Sequence, residues 1–440
     1  MKKTSLKGSL LLGILLFSMF FGSGNLIFPP YMGYEAGTAT PLALIGFSLT
    51  AIVFPVLGVI AIAMAGDLMH LSGRVGRKFA MIFTILVFLA LGPGLAIPRN
   101  AAVSFEMAVV PFMKQVPLWS RILYSLIFFA ISYLLSVKPE KLVDWLGKIL
   151  GPILIGLMLL IVIGCFLNAP GGFAAPSGDY AANQITHGFM DGYNTMDTLA
   201  ALNFGNIIAL NVINKGIREK KTVVKYTINA GIVAGILLFV IYAALSLVGA
   251  LSGGTFTNAT NGANVLTNIV SYLFGMPGLI LLDMIYVLSC LTTCVGLLCS
   301  CSEFFASITK MSYKKWVALF AGTSFLISII GLDQILRISV PILTAIYPIA
   351  MVLVILGLLQ KQIAKAPKIY PCAITVTAVV SVIYALNSIG IIIPGITNLI
   401  LSIPPLPDLC WVIPALIGAV IGWIWSTYLE KEQEPLADQA

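Results

Sequence analysis

Three short stretches carry residue types that could do chemistry. The first, Gly22-Ser23-Gly24-Asn25, interrupts an apolar run, and Pro29 and Pro30 follow shortly after. Paired glycines and prolines make a poor helix interior. In hydrocarbon an unpaired backbone group is costly, so irregular backbone persists only where it lines a cavity. An opened helix of this kind offers free N–H groups to a carboxylate and free carbonyls to a cation. The competing reading is a kinked helix packed through small residues. The second stretch, Asp191-Gly192-Tyr193-Asn194-Thr195-Met196-Asp197-Thr198, sets a glycine, hydroxyl side chains and two acids within another apolar region. The third, Ser289-Cys290-Leu291-Thr292-Thr293-Cys294, offers adjacent threonine hydroxyls one turn after a serine. Those hydroxyls could serve a hard cation, or simply bond the carbonyls of the preceding turn.

The remaining polar residues exclude more than they suggest. Asp197 sits near the end of the second stretch, just past the break, and an acid within a membrane is a functional candidate by default. It could carry a proton, neutralise an amine, or fix the interrupted helix by hydrogen bonds. Arg99 is the only cation in its apolar run, seven residues before Glu106. It pairs with Glu106, or it forms a gating salt bridge with Asp191 or Asp333. Asp283 and Glu303 read as solvated or capping groups. His70 and His187 lie in loop-like settings and lack metal-ligand spacing. The seven cysteines contain no CxxC pair, and those in apolar segments read as small packing residues. A nucleophile–base pair and a metal cluster are both missing from this inventory, so the sequence does not predict an enzyme.

The elements that must position these groups follow from composition. The chain has 440 residues, 59% hydrophobic and only 10% charged. Soluble proteins average about 25% charged residues. Runs of about 20 apolar residues, enough to cross a bilayer, recur along the chain. The predicted fold class is all-α integral membrane, with twelve spans near 8–35, 39–66, 77–111, 119–137, 142–168, 183–211, 222–250, 276–308, 313–332, 334–359, 370–392 and 410–429. Residues 262–275 form a candidate re-entrant helix. Lys2 and Lys3 before an apolar run imitate a signal peptide, but no A-x-A-like cleavage site follows, and a retained first helix is expected.

Charge tests that count. Of the 25 lysines and arginines, all but Arg99, Lys114, Arg121 and Arg337 fall at the termini or in alternate loops. The positive-inside rule yields such a split when the spans are counted correctly, and it sets both termini in the cytoplasm of a cell (inner) membrane. The net charge of +8 is therefore a topology signal, and no nucleic acid is implied. Interrupted helices tend to occur at matching places in two halves of a chain. Spans 1 and 6 are five apart, which implies that spans 1–5 are repeated, inverted, in spans 6–10. The expected division is 1–168 for the first repeat, 183–359 for the second, 370–429 for two extra spans and 430–440 for a cytoplasmic tail.

Three segments together resemble the branched-chain amino acid:cation symporter family, within the LeuT-fold (amino acid-polyamine-cation) superfamily. They are Phe20 to Pro30, Ala96 to Glu106, and Asp191 to Leu202, and the resemblance covers nearly the whole chain. It implies a 5+5 inverted repeat with interrupted helices 1 and 6, working by alternating access. It also implies import of L-leucine, L-isoleucine and L-valine with a cation. Matched by position, it gives a sodium ion the carbonyls of Ser18, Phe21 and Ser289 and the hydroxyls of Thr292 and Thr293. It gives the substrate carboxylate the amides of Ser23 and Gly24 within Gly22–Asn25. The substrate amine falls to Gly192, Tyr193, Asn194 and Thr195, and the side chain to an apolar wall including Phe20 and Tyr193. An additional ion site at Asn25 lacks recognisable partners.

Coupling to sodium needs a cage of oxygens, whereas coupling to a proton needs a titratable group. Some proton-coupled relatives carry a lysine in span 5; here Ile149 to Asn168 holds no cation, which favours sodium. Asp197 supports the proton alternative, with Arg99 and Glu106 as further coupling or gating candidates. No organic cofactor and no obligate protein partner are expected. A major-facilitator transporter is the main rival. Its basic loop is echoed by Gly73-Arg74-Val75-Gly76-Arg77-Lys78, but no acid directly precedes Arg74, and the central loop is short. A channel or a non-transporting receptor is a further rival.

Overall fold

The computed structural model describes residues 6–113, 115–137, 149–168, 171–214, 216–256, 259–403 and 407–433. Lys2, Lys3, Lys114, Lys138, Lys141, Lys148 and Lys215, the start of the expected fifth span, and the tail beyond 433 lie outside the described residues. Everything regular among them is helical. Helix α1 (Leu6–Phe20) is followed by α2 (Ser23–Ala36), α3 (Thr40–Ser48) and α4 (Phe54–Ala65). Next come α5 (Leu68–Gly73), α6 (Arg77–Leu89), α7 (Ala96–Ala108), α8 (Leu118–Ser136) and α9 (Gly151–Leu167). The second half holds α10 (Gln184–Asn194), α11 (Asp197–Asn214), α12 (Lys220–Ser252), α13 (Gly262–Ile308), α14 (Tyr313–Ser328) and α15 (Leu332–Leu358). Helices α16 (Ile369–Ser388), α17 (Ile396–Leu401) and α18 (Val412–Gln433) complete the chain.

Seven helical stretches among the described residues are long and apolar enough to cross a membrane, and α10 with α11 makes an eighth if that bent pair is one span. Three shorter apolar helices accompany them, Gly8–Phe20, Gly151–Leu167 and Val412–Tyr428. The tally depends on what is joined. A 3₁₀ turn at Gly37–Ala39 and a π-helical segment at Leu49–Val53 run α2 to α4 into one helical stretch. Helix α13 likewise absorbs residues 262–275, but Gly275 (φ 58°, ψ −144°) breaks its direction. The candidate re-entrant segment is therefore the first arm of a kinked helix.

Outward-facing side chains are apolar. Leu126, Leu134, Leu160, Leu167, Ile236 and Leu326 are all exposed. Water penalises such a surface and hydrocarbon does not. Inside the bundle α12 packs against both α1 and α2, α7 against α13, α3 against α10, and α4 against α11. Helix–helix association in lipid relies on close van der Waals contact, which small residues permit. The α2–α12 contact illustrates this, since a Cβ on Gly33 would lie 1.8 Å from the Ser246 carbonyl oxygen. Gly33→Val should therefore cost about 3 kcal/mol, the upper end of overpacking penalties, because backbone rather than a side chain must yield. A melting temperature in detergent indistinguishable from wild type would show that this contact does not hold the pair together.

Candidate functional site

Helix α1 ends at Phe20, and α2 begins at Ser23 after an extended Gly22 (φ −120°, ψ −158°). Local side chains hold the junction. The Gly22 N–H donates to Asn25 Oδ1 at 3.0 Å, and the Ser23 N–H donates to Asn100 Oδ1 of α7 at 3.1 Å. Helices α10 and α11 meet at 46° across Thr195 and Met196. Met196 has φ 68°, a left-handed conformation that costs a non-glycine residue about 1–2 kcal/mol. The Thr195 hydroxyl donates to the Gly192 carbonyl at 2.8 Å. Arg99 Nη1 donates to the Asn194 carbonyl at 2.6 Å, and Nη2 lies 3.5 Å from the Thr195 carbonyl. A cation thus meets the negative C-terminal end of α10, where the helix dipole favours it.

The two junctions are tied directly. Asn25 Nδ2 donates to Asp197 Oδ2 at 2.7 Å and also to the Tyr242 hydroxyl of α12. That hydroxyl donates in turn to Asp197 Oδ2 at 2.8 Å. Asp197 is 1% exposed and Arg99 3%, so both charged residues are enclosed by protein. They line one narrow cavity together with Phe20, Gly22, Ser23, Gly24, Asn25, Asn100, Thr195 and Thr293. Met19, Leu91, Ala96, Met196, Ala200, Phe204 and Leu297 supply most of its apolar wall. Gly24 must be glycine there, because a Cβ would lie 2.8 Å from Arg99 Nη2 and 3.0 Å from Thr195 Cα.

Beside the first junction, α13 brings its hydroxyls to the end of α1. Ser289 Oγ donates to the Phe21 carbonyl at 2.6 Å. Thr292 Oγ1 lies 2.8 Å from the Ser289 carbonyl and 3.4 Å from the Ser18 carbonyl. Thr293 Oγ1 donates to the Met19 carbonyl at 3.2 Å. Uncharged oxygens from two helices therefore converge within a few ångströms, the kind of donor set that a hard monovalent cation accepts.

Other sequence expectations meet a different geometry. Arg99 pairs with neither Glu106, Asp191 nor Asp333 among the described residues. Glu106 lies about 10 Å further along α7, at 1.5 Å per residue, and faces Arg121 Nη2 at 3.6 Å. Asp191 accepts from the Tyr180 hydroxyl at 2.6 Å. Bare α10 carbonyls within reach out-compete a carboxylate two turns away. Tyr193 turns from the cavity and stacks on Tyr347 of α15, ring centroids 4.5 Å apart. Asn194 reaches the site through its carbonyl, which Arg99 holds, while the Gly192 carbonyl is taken by the Thr195 hydroxyl. Asn100 and Tyr242 escaped the sequence reading. Asn100 sits beside Arg99 in the quoted Ala96–Glu106 segment, which was a usable signal. A tyrosine within an apolar run gave none.

A second, wider cavity of about 300 Å³ lies on the side where Arg74, Arg77, Lys310 and Lys314 cluster. It runs between α6, α11 and α13, with exposed Glu303 and Ser307 at its mouth and Asn203 and Ser300 at its inner end. Asn203 Nδ2 donates to Ser300 Oγ at 2.6 Å.

The bundle is similar to solved transporters. Mhp1, a nucleobase-cation-symport-1 family transporter in a closed conformation with bromovinylhydantoin bound, superposes with a TM-score of 0.61 at 14% identity, over 96% of this chain and 93% of that one. A Na⁺-coupled sialic acid symporter in a substrate-bound outward-open state gives 0.57 at 15%, over 96% and 89%. The fold is therefore similar to the LeuT-like fold of these solved structures. The chain itself belongs to the family of branched-chain amino acid transport proteins, whose family model matches residues 5–429. Relatives include the branched-chain amino acid permease BraB of Bacillus subtilis, 37% identical over 97% of both chains. The branched-chain amino acid transport system 2 carrier protein of Pseudomonas aeruginosa is 38% identical over 99% of this chain and all of its own length. The permease BrnQ of Escherichia coli K12 is 34% identical over 94% of both. The family is one of transport proteins, not enzymes.

Tyr242→Phe tests the tie between the junctions. It leaves Asp197 and Asn25 each a partner short in a buried setting, which should lower stability by about 1–3 kcal/mol. Thermal unfolding in detergent reads this directly, and an unshifted transition would mean that the hydroxyl bears no share of the structure.

Proposed function

We propose that the protein imports leucine, isoleucine and valine across the cell membrane by symport with sodium. It would do so as twelve spans with both termini in the cytoplasm, and with α1–α2 and α10–α11 as the interrupted spans 1 and 6 of a 5+5 inverted repeat. The observation that carries this reading is the meeting of two helix junctions at one enclosed cavity, flanked by the oxygen cluster of α1 and α13. Membership of the branched-chain amino acid transport family and the names of the relatives support the substrate class.

In this reading the amides of Ser23 and Gly24, at the positive end of α2, bind the substrate carboxylate. The carbonyls around Asn194 and Thr195, at the negative end of α10, take the ammonium. Phe20, Phe204 and Leu297 receive the branched side chain. Sodium, the co-transported ion, would be held by the carbonyls of Ser18, Phe21 and Ser289 and the hydroxyls of Thr292 and Thr293. Closing the cavity around both brings an anion and two cationic groups out of water together, so each lowers the cost of burying the other. That mutual dependence is what couples substrate to ion.

Asp197 supports a second reading, proton coupling, because it is an enclosed carboxyl held by Asn25 and Tyr242. Uptake of labelled leucine into proteoliposomes, with sodium and proton gradients imposed separately, discriminates the two. Accumulation driven by sodium alone is expected; accumulation driven only by a proton gradient would overturn sodium coupling, and none under either would overturn transport itself. Thr292→Ala and Thr293→Ala should raise the sodium concentration needed for half-maximal uptake by about tenfold, one lost ligand's worth. Leucine affinity at saturating sodium should change much less. An unaltered sodium requirement in both variants would remove α13 from the ion site.

A further inference from the structure

Adjacent residues of α7 hold the backbone groups assigned above to the amino acid. Asn100 Oδ1 accepts from the Ser23 N–H at 3.1 Å. Arg99 donates to the Asn194 carbonyl at 2.6 Å and approaches the Thr195 carbonyl at 3.5 Å. An oxygen acceptor therefore stands where a carboxylate would accept, and a cation stands where an ammonium would donate. Both residues are buried and line the central cavity. The guanidinium is tightly set, since the absent side chain of Gly24 is what lets Nη2 approach. Its Nε is buried without a hydrogen-bond partner, so Arg99 is not fully satisfied where it lies.

We propose that Arg99–Asn100 is an internal stand-in for the zwitterionic head of the substrate, which the amino acid displaces on binding, so that α7 sets substrate affinity and the demand for a carboxylate. The proposal rests on the junction amides and carbonyls being the substrate's binding groups. A single N–H cannot donate at full strength to two acceptors, so Asn100 and the substrate carboxylate compete for Ser23. The side chain is suited to exchange. A carboxamide carries an acceptor and two donors, so after displacement Asn100 can turn its Nδ2 toward the arriving carboxylate. An aspartate at this position would hold Ser23 more strongly through a charge-assisted bond and would repel the carboxylate.

The test is equilibrium binding of labelled leucine, and of its decarboxylated counterpart 3-methylbutylamine, to the purified full-length chain at saturating sodium. Asn100→Ala removes the competitor, and the leucine Kd should fall about fivefold, one neutral hydrogen bond's worth. Asn100→Asp installs a permanent carboxylate. Its leucine Kd should rise at least about tenfold, and the amine, rejected by wild type, should now bind. A purely structural cap predicts no such reversal of preference. An unchanged or weakened leucine Kd in Asn100→Ala overturns the proposal. Should that variant aggregate, Asn100→Asp decides, because unchanged leucine binding with continued rejection of the amine overturns it equally. Wild type binding the amine as tightly as leucine would instead overturn the assignment of the carboxylate to the junction amides, whatever the variants do.

Discussion

Backbone polarity in a medium without water is the constraint on which this structure turns. Each helix junction releases N–H and carbonyl groups that hydrocarbon cannot satisfy. The molecule meets that demand by placing the junctions of α1–α2 and α10–α11 opposite each other and running α7 and α12 alongside. Asn100 takes a donor from one junction, and Arg99 serves two acceptors of the other. Asn25, Tyr242 and Asp197 join the two. Neither junction is fully satisfied by its own helices, so each depends on the bundle being assembled.

That dependence explains the burial of charge. An isolated arginine or aspartate within a membrane bundle is expensive, yet Arg99 and Asp197 share one cavity and each is directed by hydrogen bonds. Arg99 faces the end of α10 that carries partial negative charge, and Asp197 opens α11, where the partial charge is positive. The charges are placed by helix ends as much as by one another. The left-handed Met196 is tolerated in the same setting, because its neighbours Asn194 and Thr195 are fixed by the guanidinium.

Much of this was legible in the sequence, and the rest was not for identifiable reasons. Gly22–Asn25 and Asp191–Thr198 announce themselves because two glycines bracketing a serine beside an asparagine, and acids within an apolar run, are unusual combinations in a membrane helix. Ser289, Thr292 and Thr293 were visible as a hydroxyl cluster, and the structure sets them against Ser18, Met19 and Phe21. Family resemblance pointed to the fold that the solved transporters share. What failed was the direction of individual side chains. Glu106 looked like a partner for Arg99 because helical spacing is a local rule, whereas the Asn194 carbonyl is brought there only by the tertiary docking of α7, which lies against α2 and α13. Tyr193 lies beside a junction in sequence but faces Tyr347 in space. Asn100 and Tyr242 owe their roles to where α7 and α12 dock, which periodicity does not encode.

The second cavity alters how membrane voltage is distributed across the molecule. Its inner end, at Asn203 and Ser300, adjoins the central cavity: Asn203 is next to Phe204 in sequence, and Ser300 lies about one helical turn from Leu297. Filled with water, such a recess would carry the potential of its own bath inward. Under the proposed orientation most of the field would then lie on the opposite side, between the outer surface and the junctions. At about 2.3 kcal/mol per elementary charge per 100 mV, an ion arriving from that side in the proposed symport cycle would collect nearly the whole electrical driving force on entry and almost none on release. Arrival would then be the electrogenic event, and departure through the recess would be electrically close to silent.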